Sequence, residues 1–164
     1  AAAAGVDDAI VIAAGEILRG AGHGVVLGRG FNCATAFELA LKAKELAHVA
    51  VEPYSSADFL HGPIALIETG FAAIVINVAG AVSEEVDGLL ADIVGRGARP
   101  VVLSNLRSSL DRAAAPIPLP ADMPEWVSPI AAIVPGQLLA FYLSRIRGLD
   151  PDHPRGLNKV TRTV

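Results

Sequence analysis

Apolar residues in DAIVIAAGEIL, residues 8–18, recur at the three-and-four spacing of a helix with one buried face, and Gly20, Gly22 and Gly24 close the pattern ahead of the run VVLG. A helix over about residues 6–19 followed by a strand is therefore the predicted opening. Three further runs, HVAVEPY at 48–54, AAIVINV at 72–78 and PVVLSN at 100–105, are rich in β-branched residues and bounded by turn formers, as strands are. A weaker strand is expected at API, 115–117, before the proline-spaced PIPLPADMPEW and a long apolar helix. Helical patterns lie between the runs, FNCATAFELALKAKELAH the clearest of them. Strands that alternate with helices pair in parallel, and strands apolar throughout are covered on both faces. The expected fold is α/β, a three-layer αβα sandwich whose ligands bind beyond the carboxyl ends of the strands. That directs attention to GRGFN, to residues 52–61, to AGAVSEE and to SNLRSS.

Size and composition narrow the picture. A chain of 164 residues suits one domain, with no second-domain linker and no internal repeat. Hydrophobic residues make up 52% and charged residues 18%, fewer charges than usual, so part of the apolar surplus is expected to face another subunit or domain. Thirteen basic residues against seventeen acidic ones, without a Lys/Arg cluster, argue against nucleic acid and anionic membrane as partners. The apolar stretch from Trp126 to Leu143 is interrupted by Ser128, Pro129, Pro135, Gly136 and Gln137 and reads as a buried helix rather than a membrane span. No cationic region precedes the apolar residues of the N-terminus, so no signal peptide is expected. Cys33 is the sole cysteine, which excludes an internal disulfide and fits a reducing, cytoplasmic setting. The four histidines lack ligand spacing among themselves or with Cys33, so neither a metal nor a cofactor is expected.

Candidate chemistry comes from four short stretches. In VVLGRGFNC, Gly28 and Gly30 lie between a strand and a helix in the manner of a dinucleotide fingerprint, but the third glycine is replaced by Cys33 at the close packing point. A tight glycine turn accounts for them. In the following helix Glu38, Lys42 and Glu45 share one face. From spacing alone this is a solvated salt-bridge stripe, yet a carboxylate beside an ammonium is also the equipment for moving a proton at an α-hydroxycarbonyl carbon. In DFLHGPIALI, Pro63 suits the first position of a short helix and Gly62 relaxes the turn, which leaves His61 unexplained. Placed ahead of a helix N-terminus, His61 would feel a field that favours the neutral imidazole, a base. The tail over about residues 148–164, with DPDHPRGLNKVTRTV, is too polar for an element of its own, and Lys159 in it becomes a nucleophile only if desolvated.

In this order, LGRG, ELALKAKE, LHGPIALI and DPDHPRGLNKVT resemble the C-terminal sugar isomerase (SIS) domain of the glucosamine 6-phosphate synthase family, in the type that lacks the glutaminase part. The resemblance covers the chain from about residue 5, so residues 1–164 are read as a single SIS domain, the second half of a two-SIS protein. It implies a flavodoxin-like five-stranded parallel sheet, a homodimer or a preceding SIS domain as partner, and a hexose or hexosamine 6-phosphate as ligand. It further implies aldose–ketose isomerisation, or amination or deamination at C2. By that resemblance Glu45 moves the proton between C1 and C2, with Glu38 and Lys42 as companions on the same helix. His61, supplied from the opposite subunit, assists ring opening, and Lys159 forms a Schiff base with the ketose phosphate. Gly28, Arg29, Gly30 and Asn158 are the implied substrate contacts. The family's Ser/Thr-rich phosphate loop has no counterpart here: AGAVSEEV offers only Ser83, and SNLRSS offers Ser104, Ser108 and Ser109 in another pattern. A phosphosugar-binding or dimerisation module without chemistry is the alternative this leaves.

Overall fold

The computed structural model describes residues 6–157. Five strands, β1 (His23–Gly28), β2 (Ala50–Ser55), β3 (Ala72–Asn77), β4 (Val101–Ser104) and β5 (Ala115–Pro118), form one parallel sheet in the order β2-β1-β3-β4-β5. The registers align His23 with Ala50, Gly24 with Ala72, Ile74 with Val101 and Val101 with Ala115. Helices α1 (Asp8–Leu18), α2 (Asn32–Ala47), α3 (Ser56–Leu60), α4 (Ser83–Gly95), α5 (Arg107–Leu110) and α6 (Ser128–Ile146) complete the sandwich. Each expected strand is present within two residues of its reading, including the weak one at Ala115–Pro118.

Period-two alternation divides the core. Val26, Ile74, Ile76, Val101 and Leu103 face one buried cluster with α1, α2 and α6, while Val25, Leu27, Ala73, Val75 and Val102 face a second with α3 and α4. Both faces are thus dry, which is why these strands read as uninterrupted apolar runs. Asp7 caps α1 by accepting a hydrogen bond from the Ala9 N–H at 2.9 Å. At the end of β1, a Cβ on Gly28 would collide with the Asn32 carbonyl, so glycine is what lets the first turn of α2 sit against the strand.

Helix α6 runs through Pro135 without ending, with Pro129 tolerated in its first turn. By length and hydropathy, Glu125–Ile146 could cross a membrane. Here it packs on α1 and α2, burying Ala132, Leu139, Ala140 and Leu143. Gly136 meets the Leu39 side chain: a Cβ there would lie 3.4 Å from Leu39 Cδ1, so the absent side chain lets α6 approach α2. After α6, the Arg147 guanidinium donates to the carbonyls of Arg19 (3.4 Å) and Ala21 (2.6 Å), which precede β1. The C-terminal segment therefore leaves from the amino end of the sheet, and residues 148–157 form no regular element.

Candidate functional site

The face of α2 predicted from spacing is present. Lys42 Nζ lies 2.7 Å from Glu45 Oε2 and 3.9 Å from Glu38 Oε1, and all three side chains are about one-third exposed. The hydrogen bond to Glu45 raises the Lys42 ammonium above its ordinary value of 10.5; partial burial opposes this, and the charges of Glu45 and Glu38 reinforce it. Glu45 Oε1 has no hydrogen-bond partner among the described residues. Phe37 and Leu41, one residue before Glu38 and Lys42, form an exposed apolar stripe beside the charged one.

Within one chain the predicted site residues fall at two ends of the sandwich. Helix α2 runs antiparallel to the strands, so Gly28, Arg29 and Gly30 stand at its start and Glu45 near its finish, about 20 Å away by helical rise. That exceeds the reach of one hexose phosphate. His61 lies beyond the carboxyl end of β2, roughly 17 Å of strand from the end where Glu45 sits. The segment after α6 leaves from Glu45's own end, because α2 and α6 pack side by side and run the same way. Lys159 and Asn158 lie outside the described residues. His61 itself differs from its sequence reading: it is exposed and caps the C-terminal end of the five-residue α3, its N–H bonded to the Asp58 carbonyl. Pro63–Leu66 is a single 3₁₀ turn. One 3₁₀ turn carries little dipole, so the helix start after His61 is not a ground for a neutral base.

At the carboxyl ends of β1 and β3 the structure places polar groups that sequence spacing did not bring together. Buried Asn32 donates from Nδ2 to Ser128 Oγ at 2.8 Å, and its Oδ1 accepts from Thr35 Oγ1 at 3.0 Å. Ser128 Oγ in turn donates to the Glu125 carbonyl at 2.6 Å. The Glu125 carboxylate accepts from the Ala81 N–H at 3.1 Å and lies over Gly80, where a Cβ would fall within the carboxylate. Asn105 Oδ1 accepts from the Ala79 N–H at 2.8 Å. Arg29 Nη1 pairs with Glu85 Oε1 at 3.1 Å.

Of the serines considered as phosphate donors, Ser83, Ser104 and Ser109 are committed internally, while Ser108 is exposed and its hydroxyl has no hydrogen-bond partner among the described residues. Ser83 Oγ donates to the Gly80 carbonyl, and Ser104 Oγ accepts from the Leu106 N–H. Buried Ser109 accepts from Asn77 Nδ2 at 2.9 Å and donates to Asp87 Oδ1 at 2.8 Å. Asn77 carried a legible signal, a polar residue ending an otherwise apolar strand. Glu125 carried little, since an acid before an apolar helix reads as a first-turn charge. Among the described residues, no group of three His, Cys, Asp or Glu side chains could hold a metal.

Residues 17–147 match the family described as SIS domain. The chain belongs to the SIS domain family. This SIS domain is 39% identical over 133 residues to the glutamine–fructose-6-phosphate aminotransferase (isomerizing) of Thermococcus kodakarensis, a match over 81% of this chain and 22% of that protein. It superimposes on the C-terminal domain of glucosamine-fructose-6-phosphate aminotransferase from Francisella tularensis with TM-score 0.79 at 24% identity, covering 89% of this chain and 42% of the other. It also superimposes on glucosamine-6-phosphate deaminase from Thermotoga maritima with TM-score 0.67 at 26% identity, covering 92% and 45%. The chain thus spans about a quarter or less of the curated relatives and less than half of these solved chains. The five-stranded parallel SIS fold expected from the four motifs is the fold observed.

Proposed function

We propose that this SIS domain supplies the proton-transfer face of an enzyme acting on a hexose or hexosamine 6-phosphate. The observation that carries the reading is the Glu38–Lys42–Glu45 stripe, two carboxylates with an ammonium between them, in a chain whose relatives are named for 6-phosphosugars. Lys42 holds Glu45 Oε2, and Oε1 is left to remove the proton from C2 of an open-chain aldose and return it to C1. The reverse transfer starts at C1. Isomerisation, amination and deamination at C2 share this step, so the proposal does not depend on which of them completes the reaction.

Completion of the site is proposed to come from a second protomer or a preceding SIS domain. His61 and the Gly28–Gly30 loop stand at the other end of α2 from Glu45, so they join its substrate only when a partner presents them. Phe37 and Leu41 offer the apolar contact such a partner would cover. The tail leaves from Glu45's end of the sandwich, which supports Lys159 as the amine that condenses with the ketose C2 carbonyl, water leaving as the imine forms. Asn158 is proposed beside it as a sugar contact.

The test is exchange of the C2 proton of glucosamine 6-phosphate or glucose 6-phosphate with deuterated solvent, followed by NMR in the full-length protein. Glu45→Gln should slow exchange by roughly 10²- to 10⁴-fold while binding is retained. Exchange that survives the substitution removes Glu45 from the mechanism.

A further inference from the structure

The sheet order makes the gap between β1 and β3 the topological switch point, because the chain leaves β1 toward β2 on one side and β3 toward β4 on the other. Folds of this kind place an anionic ligand group there, against loop amides and the start of the next helix. In this chain the place is taken. Glu125 enters the crevice from the turn before α6, accepts the Ala81 N–H at 3.1 Å and fills the space over Gly80. Its Oε1 lies 3.9 Å from where a Cβ on Gly30 would stand, and Gly30 itself holds a left-handed φ of 57°. The backbone of Glu125 is anchored from behind, since Ser128 Oγ donates to the Glu125 main-chain carbonyl at 2.6 Å and buried Asn32 donates to Ser128 at 2.8 Å; the carboxylate itself is held by the Ala81 N–H. The nearby cation of the β1 loop, Arg29, is already paired with Glu85 at 3.1 Å.

We propose that Glu125 is a self-supplied anion that closes the switch-point crevice of this domain to phosphate. The class of excluded ligand rests on the phosphosugar reading above; the closure itself rests on the contacts just given. Charge and volume act together: a phosphate would have to displace a bound carboxylate of like charge and take over the Ala81 N–H from it. The device also accounts for Gly80, whose missing side chain makes room for Glu125; Gly30 is accounted for by its left-handed backbone.

The experiment is a titration of the ¹⁵N-labelled 164-residue chain with inorganic phosphate, read at the amides of Gly30, Gly80 and Ala81. The wild-type amides should remain unmoved at millimolar phosphate. Glu125→Ala should open the crevice and bind phosphate there about tenfold or more tightly than wild type. Glu125→Gln retains the volume and a hydrogen-bond acceptor without the charge, is the safer variant for folding, and should fall between the two. Phosphate binding at these amides in wild type, or no gain in either variant when folded, overturns the proposal. Because this readout does not involve C2 exchange, its failure leaves the Glu45 reading untouched, and failure of the Glu45 reading leaves the closure standing.

Discussion

At the scale of single residues, the α2 stripe shows why spacing alone was ambiguous. A solvated i,i+4 and i,i+3 salt-bridge face and a proton-shuttling face contain the same residues, and the contacts at 3.9 and 2.7 Å are compatible with both. Their energies differ from their chemistry: replacing Lys42 with Met should cost only about 0.5 kcal/mol of stability, the ordinary size for a partly exposed ion pair. The pH dependence of that cost has a definite sign. Lys42 is raised above 10.5 in the folded state, so its contribution is fully present below 10.5 and lost as pH rises through the higher folded value. Urea unfolding of wild type and Lys42→Met should thus differ by a constant amount at neutral pH and converge in strong alkali. A gap that closes between pH 6 and 8 would contradict this.

At the scale of elements, the interface of α2 with α6 and the loops at the sheet's carboxyl edge carry the largest mechanical demands. Leu39 is fully buried between those helices and against Gly136, so Leu39→Ala should destabilise the domain by about 2–5 kcal/mol, measured as a shift in the urea midpoint at unchanged slope. Gly80→Ala puts a methyl where the flexible end of the Glu125 side chain lies, and should cost about 1 kcal/mol or less as the carboxylate gives way. The double substitution with Glu125→Ala should restore most of it, and additive losses would show that the two positions do not press on each other. The strands were legible because each is buried on both faces, and α2 because its polar and apolar stripes keep helical spacing. The crevice was not. Asn32 and Ser128 are distant in sequence, and Glu125 lies in a proline-spaced loop with no periodicity, so only the packing of α6 on α2 brings these groups together. Gly62-Pro63 does start a short helix, as the sequence reads, but it is a single 3₁₀ turn, and the sequence did not show that His61 also ends α3.

At the scale of the whole molecule, the candidate site is divided by the very antiparallel run of α2 that the fold requires. Glu45 and the departing tail share one end of the sandwich; His61 and the glycine loop share the other. Exposed Phe37 and Leu41, next to the charged stripe, match the apolar surplus in the composition and are the surface on which the proposed partner would dock. The division makes a direct demand on assembly, testable by mixing two inactive forms. Glu45→Gln and His61→Asn variants of the full-length protein should each lose C2 exchange alone. Mixed and allowed to exchange subunits, they should recover up to about a quarter of wild-type exchange, since half of the dimers are mixed and each mixed dimer holds one intact site of two. Variants that stay inactive together, although mass spectrometry shows mixed dimers, would contradict a site shared between Glu45 of one protomer and His61 of its partner.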